Sequence, residues 1–385
     1  MPEGHTLHRL AAHFDKTFGG GAVRATSPQG RFADGAARID GRVLVEGEAH
    51  GKHLFLGFDS GEWLRVHLGL YGAWSFGDAD GERHLGAPRA MGTERIELNR
   101  DGDGFVVPPT PVGAVRVRLV NTGGWADLRG PSACEVITTD EKRAVQARLG
   151  PDPLRPDADP ERAWHVINRS RTTIGALLMR QDVIAGIGNI YRAESLFRAG
   201  IDPMTSGRDL GRERWEPLWE DLTDLLRDGV RDGYIITTRP EHRPDPDAYP
   251  VPRPDTLYVC YRTGEPCRVC ASPIAATELA GRTFSLCPWG LGWAPAPPSV
   301  TSDPRTSTAK ISDGFLRASV TLPSRWLNRF SHTGTGRRLG VFDAAPYDHG
   351  HRQSGGGLQR GGLLRPQWPP RGVGVHPCAD SEHRQ

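Results

Sequence analysis

The most constraining feature of this chain is a change of apolar period along its length. From about Val43 to Val120 apolar residues tend to alternate with polar ones. The runs Lys52–Phe58 (KHLFLGF) and Trp63–Leu68 (WLRVHL) flank an Asp59-Ser60-Gly61 turn and predict a β-hairpin. RIEL (95–98) and AVRVRLV (114–120) are further strand candidates. One helix precedes them. Leu7, Leu10, Ala11, Phe14 and Phe18 recur at three- and four-residue steps, and Gly19, Gly20 and Gly21 stop the pattern. One amphipathic helix and several short strands predict a sandwich.

Past about Pro131 the period lengthens. ERAWHVINRS (161–170), IGALLMRQ (174–181), NIYRAESLFRAG (189–200) and residues 212–231 read as helices with short Gly- or Pro-marked links. Residues 239–254 are proline-rich, polar and read as a mobile loop. A cysteine cluster follows. Beyond Cys287 the period vanishes, and APAPPS, QSGGGLQRGGL and RPQWPPRG are low-complexity, which predicts a disordered tail. The expected organisation is multidomain α+β: a β-sandwich over 1–130, a helical unit over 131–238, a hairpin carrying the cysteines over 239–290, and the tail over 291–385.

Composition adds limits. In 385 residues, hydrophobic side chains make up 37%, enough for real cores. A net charge of +2 is too small to argue for a polyanionic partner by itself, so that case rests on local basic groups. No apolar run reaches the roughly 20 residues a membrane span needs. Met1 leads at once into a proline and a carboxylate instead of a signal sequence, so the expected location is cytoplasmic.

Four segments carry candidate chemistry. The first is Met1-Pro2-Glu3-Gly4. With Met1 removed, Pro2 offers a secondary amine that can attack an aldehyde carbon, and Glu3 stands beside it as a proton carrier. Both residues also suit the plain start of a helix. The second is His50-Gly51-Lys52-His53, a glycine turn that sets Lys52 before an apolar strand. Its lysine suits a phosphate or a proton transfer, or is an ordinary solvated turn residue. The third is Ala185-Gly186-Ile187-Gly188-Asn189, where glycines open a helix and turn backbone N–H groups toward an anion. Asn189 caps that helix or contacts a phosphate. No strand precedes it, so it is no dinucleotide fingerprint. The fourth is Cys267-Arg-Val-Cys270 with Cys287 further on, spaced for a metal.

Together these segments resemble the formamidopyrimidine-DNA glycosylase/endonuclease VIII family, with MPEGHTLHRLA most like the endonuclease VIII branch of actinobacterial type. GKHLFL, LGPDPL (149–154), GIGNIYRAESLFRAGIDP (186–203) and GEPCRVC…GRTFSLCP carry the likeness over residues 1–288. The resemblance implies an N-terminal β-sandwich with a catalytic helix, a helix–two-turns–helix domain and a zinc-finger hairpin. It implies a monomeric DNA-repair glycosylase and abasic-site lyase, cytoplasmic and nucleoid-associated, acting on damaged DNA with no membrane role. Pro2 would be the nucleophile, Glu3 the acid/base, and Lys52 a DNA contact that supports elimination. Asn189 and Arg282 would hold phosphates. Leu70 and Tyr71, in HLGLYG (67–72), would fill the space left by an extruded base, although they also suit core packing at a strand end. The β,δ-elimination implied needs no redox or nucleotide cofactor.

Two departures stand out. His5 follows MPEG where many relatives have proline. More important, a four-thiolate zinc site would place its last cysteine at residue 290, which is Gly. Cys267, Cys270 and Cys287 then form a structural Zn2+ site one ligand short, and a tail group such as Cys378 is a poor substitute because no partner knuckle accompanies it. The composition breaks at the same place, as a shifted reading frame near codon 288 would produce. Resequencing the gene tests that expectation. The rival readings are a relative that binds abasic sites with impaired catalysis, and a zinc-ribbon module unrelated to repair.

Overall fold

The computed structural model describes residues 2–79, 81–86 (backbone) and 98–288. Position 290, Cys378, the tail over 291–385 and most of the RIEL candidate lie outside the described residues.

The sandwich is assembled from β1 (Arg24–Thr26), β2 (Leu44–His50), β3 (His53–Phe58), β4 (Glu62–His67), β5 (Ala73–Asp78), β6 (Gly81–Gly86), β7 (Val115–Val120), β8 (Gly124–Arg129) and β9 (Ala133–Thr138). One sheet runs β1-β7-β8-β5-β6 and the other β2-β3-β4-β9, with antiparallel neighbours throughout. The expected hairpin is β3–β4, turning at Gly61 with φ 77°. The expected boundary at residue 130 falls before β9, which pairs with β4 and completes its sheet.

Helix α1 (Gly4–Phe18) supplies much of the core. Leu7, Leu10, Phe14 and Phe18 are fully buried between the sheets with Leu54, Leu56, Trp74, Phe76 and Leu119. Each such side chain is worth about 1.5–3 kcal/mol of burial before entropic costs. The glycines after Phe18 hook onto β2: the Gly20 N–H donates to the Leu44 carbonyl at 2.8 Å.

Strand β3 is buried on both faces, more than its alternation predicts. Its outer residue Phe55 joins Trp63, Ile137 and Val145. Val145 belongs to α3 (Thr139–Ala147), which covers that face and follows α2 (Ala33–Ile39) in chain order. A reciprocal cap starts α3. The Glu141 N–H donates to the Thr138 hydroxyl, and the Thr138 N–H donates to the Glu141 carboxylate.

The helical region holds α4 (Pro160–Ile167), α5 (Ile174–Leu177), α6 (Asn189–Arg198) and α7 (Arg212–Asp232). α4 begins with an Asp159 cap and Pro160 in its first turn, and α7 ends at Gly233 with φ 80°. α7 packs on both α1 and α6. Last comes the hairpin of β10 (Ala275–Leu279) and β11 (Arg282–Leu286), whose turn residues Ala280 and Gly281 both have positive φ. Among the described residues no helix is long and apolar enough to cross a membrane.

Candidate active site

The start of the chain lies against the glycine-rich turn before α6, and glycine is required on both sides. The Gly4 N–H donates to the Gly186 carbonyl at 2.8 Å. A Cβ on Gly4 would lie 2.9 Å from the Gly186 Cα, and one on Gly188 would lie 2.3 Å from the Glu3 carboxyl carbon. Neither approach is open to a larger residue. Pro2 and Glu3 are buried at this crossing.

The anion expected at the start of α6 is the protein's own. Glu3 accepts hydrogen bonds from the N–H groups of Gly188 (2.8 Å), Ile190 (2.9 Å) and Tyr191 (3.4 Å). Burial nevertheless pushes its carboxyl above the ordinary value, opposed by the charge of Lys52 and by the three N–H donors. Lys52 shows the converse. Burial lowers its amine below the usual lysine range, Glu3 opposes this, and Arg282 and Arg192 add repulsion. The two shifts, the carboxyl upward and the amine downward, bring the groups closer together in proton affinity, which favours proton transfer between them.

Lys52 follows the β2–β3 turn, where Gly51 has φ 60°. Buried Asp152, from LGPDPL, holds that turn. It accepts from the Gly51 N–H at 2.7 Å and from the Leu154 N–H at 2.9 Å, and it pairs with His8 of α1 at 2.7 Å. One carboxylate thus fixes the lysine turn against the helix that begins beside Glu3. These favourable contacts hold its pKa below the usual aspartate value in spite of burial.

Asn189 is the first residue of α6 but does not cap it. Its side-chain amide donates to the Thr283 carbonyl of β11 at 2.9 Å, so it joins helix to hairpin. Arg192, one turn on and fully buried, donates to the Asn189 side-chain oxygen and to the carbonyls of Gly175 (3.1 Å) and Leu279 (3.2 Å). Its guanidinium lies 4.9 Å from the Phe284 ring centroid, and burial lowers its pKa to about 10. Arg282, exposed at the start of β11, lies within electrostatic reach of Lys52.

The Sγ atoms of Cys267, Cys270 and Cys287 lie within 4.8 Å of one another, with Cys270 and Cys287 3.3 Å apart. Three soft donors so gathered suit a zinc ion. The hydrogen bond with Cys287 lowers the Cys267 thiol to about 5. β11 runs from Arg282 to Leu286, so the cluster sits about 16 Å along the strand from Arg282. That placement, at the far end of the strand from Arg282, suits holding the hairpin.

Leu70 and Tyr71 are not core residues. They are 43% and 78% exposed, in the β4–β5 connection, while Leu68 takes the buried place. Gly69, with φ 66°, lets the chain turn outward. His67 stands at the base of the turn. Its Nδ1 accepts from the Gly69 N–H at 3.1 Å and lies 2.7 Å from the Ser132 hydroxyl. Burial lowers its pKa, with Lys52 adding to the effect.

The structure therefore gathers Pro2, Glu3, Lys52, Asn189 and Arg282 in one region, with the cysteines further along the hairpin. Sequence reasoning missed Asp152, Arg192 and His67. Asp152 lay within a quoted motif, while Arg192 looked like one of many helical arginines.

Residues 1–105 match the formamidopyrimidine-DNA glycosylase N-terminal domain, and residues 149–240 match the formamidopyrimidine-DNA glycosylase H2TH domain. Endonuclease 8 1 of Mycobacterium tuberculosis (strain ATCC 25618 / H37Rv) is 48% identical over 288 residues, 75% of this chain and 98% of that protein. The formamidopyrimidine-DNA glycosylase of Thermomicrobium roseum is 29% identical over 297 residues, 75% of this chain and 97% of its own length. Among solved structures, the MutM (Fpg) protein of Thermus thermophilus superposes with a TM-score of 0.56 at 25% identity, covering 76% of this chain and all of that one. On the mycobacterial match and the two domain matches, this chain belongs to the formamidopyrimidine-DNA glycosylase/endonuclease VIII family of DNA-repair glycosylases.

Proposed function

We propose that this chain is a bifunctional DNA glycosylase and abasic-site lyase, favouring oxidised pyrimidines, that works as a monomer in the cytoplasm. The observation that carries the reading is the Glu3 carboxylate, buried beside Pro2 and under three N–H groups, with Lys52 in electrostatic reach. With Met1 removed, the Pro2 nitrogen attacks C1′ of the deoxyribose, the base leaves with its bonding electrons, and the proton of the attacking nitrogen passes to the departing base. Glu3 delivers a proton to the ring oxygen, the ring opens, and the nitrogen lone pair completes an iminium. The iminium acidifies C2′. Loss of that proton drives the 3′ phosphate out, and a second elimination releases the 5′ phosphate. Water then hydrolyses the iminium and frees Pro2.

The remaining residues hold DNA in this scheme. Lys52 contacts the backbone and assists elimination. Asn189 and Arg282 grip phosphates flanking the lesion, and Leu70 and Tyr71 occupy the gap left by the extruded nucleotide. The three thiols hold zinc, which stabilises the hairpin that presents Arg282.

Borohydride trapping on an abasic-site oligonucleotide tests the reading. The parent is expected to form a covalent adduct and Pro2→Gly to form little or none. Binding without an adduct, in protein shown to lack Met1, favours the alternative, a DNA-binding relative with impaired catalysis. The three-thiol cluster is the observation that keeps this alternative open.

A further inference from the structure

Three non-glycine residues among those described have positive φ: Tyr261 (61°), Ala271 (59°) and Ala280 (55°). The alanines occupy the cysteine knuckle and the β10–β11 turn, where a small side chain tolerates the left-handed region. Tyr261 is different. The Arg262 N–H donates to the Val259 carbonyl at 3.2 Å, so Val259–Arg262 is a β-turn with Tyr261 at its third position. Positive φ there selects glycine or asparagine. A bulky ring at this place is strained. Burial does not compensate it, because the side chain is 68% exposed.

The surroundings hold the strained turn from both sides. Buried Glu194 of α6 accepts from the N–H groups of Tyr258 (2.7 Å), Val259 (2.9 Å) and Cys260 (2.8 Å), and from the Thr237 hydroxyl. On the other side, buried Arg262 donates to the carbonyls of Tyr258 and Pro266, both at 2.8 Å, and to the Glu265 carboxylate at 2.9 Å. The turn also borders the candidate centre. The Cys260 thiol lies 4.0 Å from the carbonyl of Ile190, whose N–H donates to Glu3.

Resting on the proposed function, we propose that Tyr261 is a further DNA-contact residue, an aromatic platform on a rigid turn that stacks against a nucleobase beside the lesion. A flat, exposed ring on a backbone held in advance suits such stacking, which every base can make and for which the turn itself needs no ordering on binding. The strain of the turn then has a return that the free protein does not show.

The test uses the full chain, a duplex bearing a stable abasic-site analogue, fluorescence anisotropy for affinity and thermal denaturation for stability. Tyr261→Gly relieves the strain, so its Tm is expected to rise while its affinity falls roughly 5- to 100-fold, and Tyr261→Phe stays within about two-fold of the parent. Tyr261→Gly binding as tightly as the parent would overturn the proposal, as would Tyr261→Phe losing as much affinity as Tyr261→Gly. A parent that binds no DNA overturns the proposed function and this inference with it, which separates the two failures.

Discussion

At the scale of single residues, Glu3 shows how burial and hydrogen bonding compete over one proton. The three N–H donors and Lys52 favour the anion, but desolvation outweighs them and raises the carboxyl pKa. In the proposed mechanism Glu3 acts as a protonated donor, so its raised value is expected to extend activity upward in pH, with an alkaline fall as it ionises. Glu3→Gln keeps a similar shape but cannot shuttle the proton. It is expected to lower the single-turnover rate of base release by about 10²–10⁴-fold with DNA affinity retained, as measured by quench-flow and anisotropy. The glycines before α6 announced an anion in the sequence, but not which one. The partner lay 185 residues earlier in the chain, and no local pattern reports a pairing of that span. Leu70 and Tyr71 show a related limit. Apolar side chains read alike whether buried or presented, and only the outward turn at Gly69 separates them from Leu68.

Among elements, α1, α6 and α7 meet in a close joint. His5 of α1 lies edge-on to Tyr191 of α6, with ring centroids 5.4 Å apart, and Gly229 of α7 fills the remaining space. A Cβ on Gly229 would lie 2.3 Å from the Tyr191 hydroxyl and 3.0 Å from the His5 ring. Gly229→Ala gains up to about 1 kcal/mol of helix propensity but forces apart buried rings, which costs about 1–3 kcal/mol or more. Net destabilisation is expected by urea denaturation, and a stabilised variant would show that the joint yields. The period of α1 was legible because it buries one continuous face, and the β3–β4 hairpin because its turn and both strands are adjacent in the chain. β5, β8 and β9 were less so. Their residues are enclosed by neighbours that the sequence does not place, and β9 joins β4 across more than sixty residues. Arg192 was illegible for a similar reason, since its partners Gly175, Leu279 and Phe284 lie on separate elements.

For the whole molecule, buried histidines set the response to acid. Burial lowers His5 to about 3, with Arg9 adding repulsion, and His53 is likewise lowered to about 3. Between pH 6.5 and 3 the unfolded chain takes up these protons and the folded one does not. Stability therefore falls as pH falls through that window, by about 1.4 kcal/mol per pH unit for fully buried His5. Asp152 adds a loss of the same sign at lower pH, while Glu3, with its raised value, acts in the opposite direction. His5→Phe is expected to flatten the slope of stability against pH in denaturant titrations, and an unchanged slope would assign the acid sensitivity elsewhere. The proposed zinc would contribute at this scale too. A chelator is expected to weaken DNA binding through the hairpin before it unfolds the sandwich, with anisotropy and far-UV circular dichroism separating the two effects.

The bond between Glu3 and the Gly188 N–H also has a meaning in time. A ribosome adds about 5–20 residues per second, so some 10–40 s separate the synthesis of the acid from that of the turn that receives it. During that interval α1 and the first strands can find one another, but the carboxylate has no place to settle. Glu3 is made early and seated late, after the sandwich that surrounds α1 has been translated.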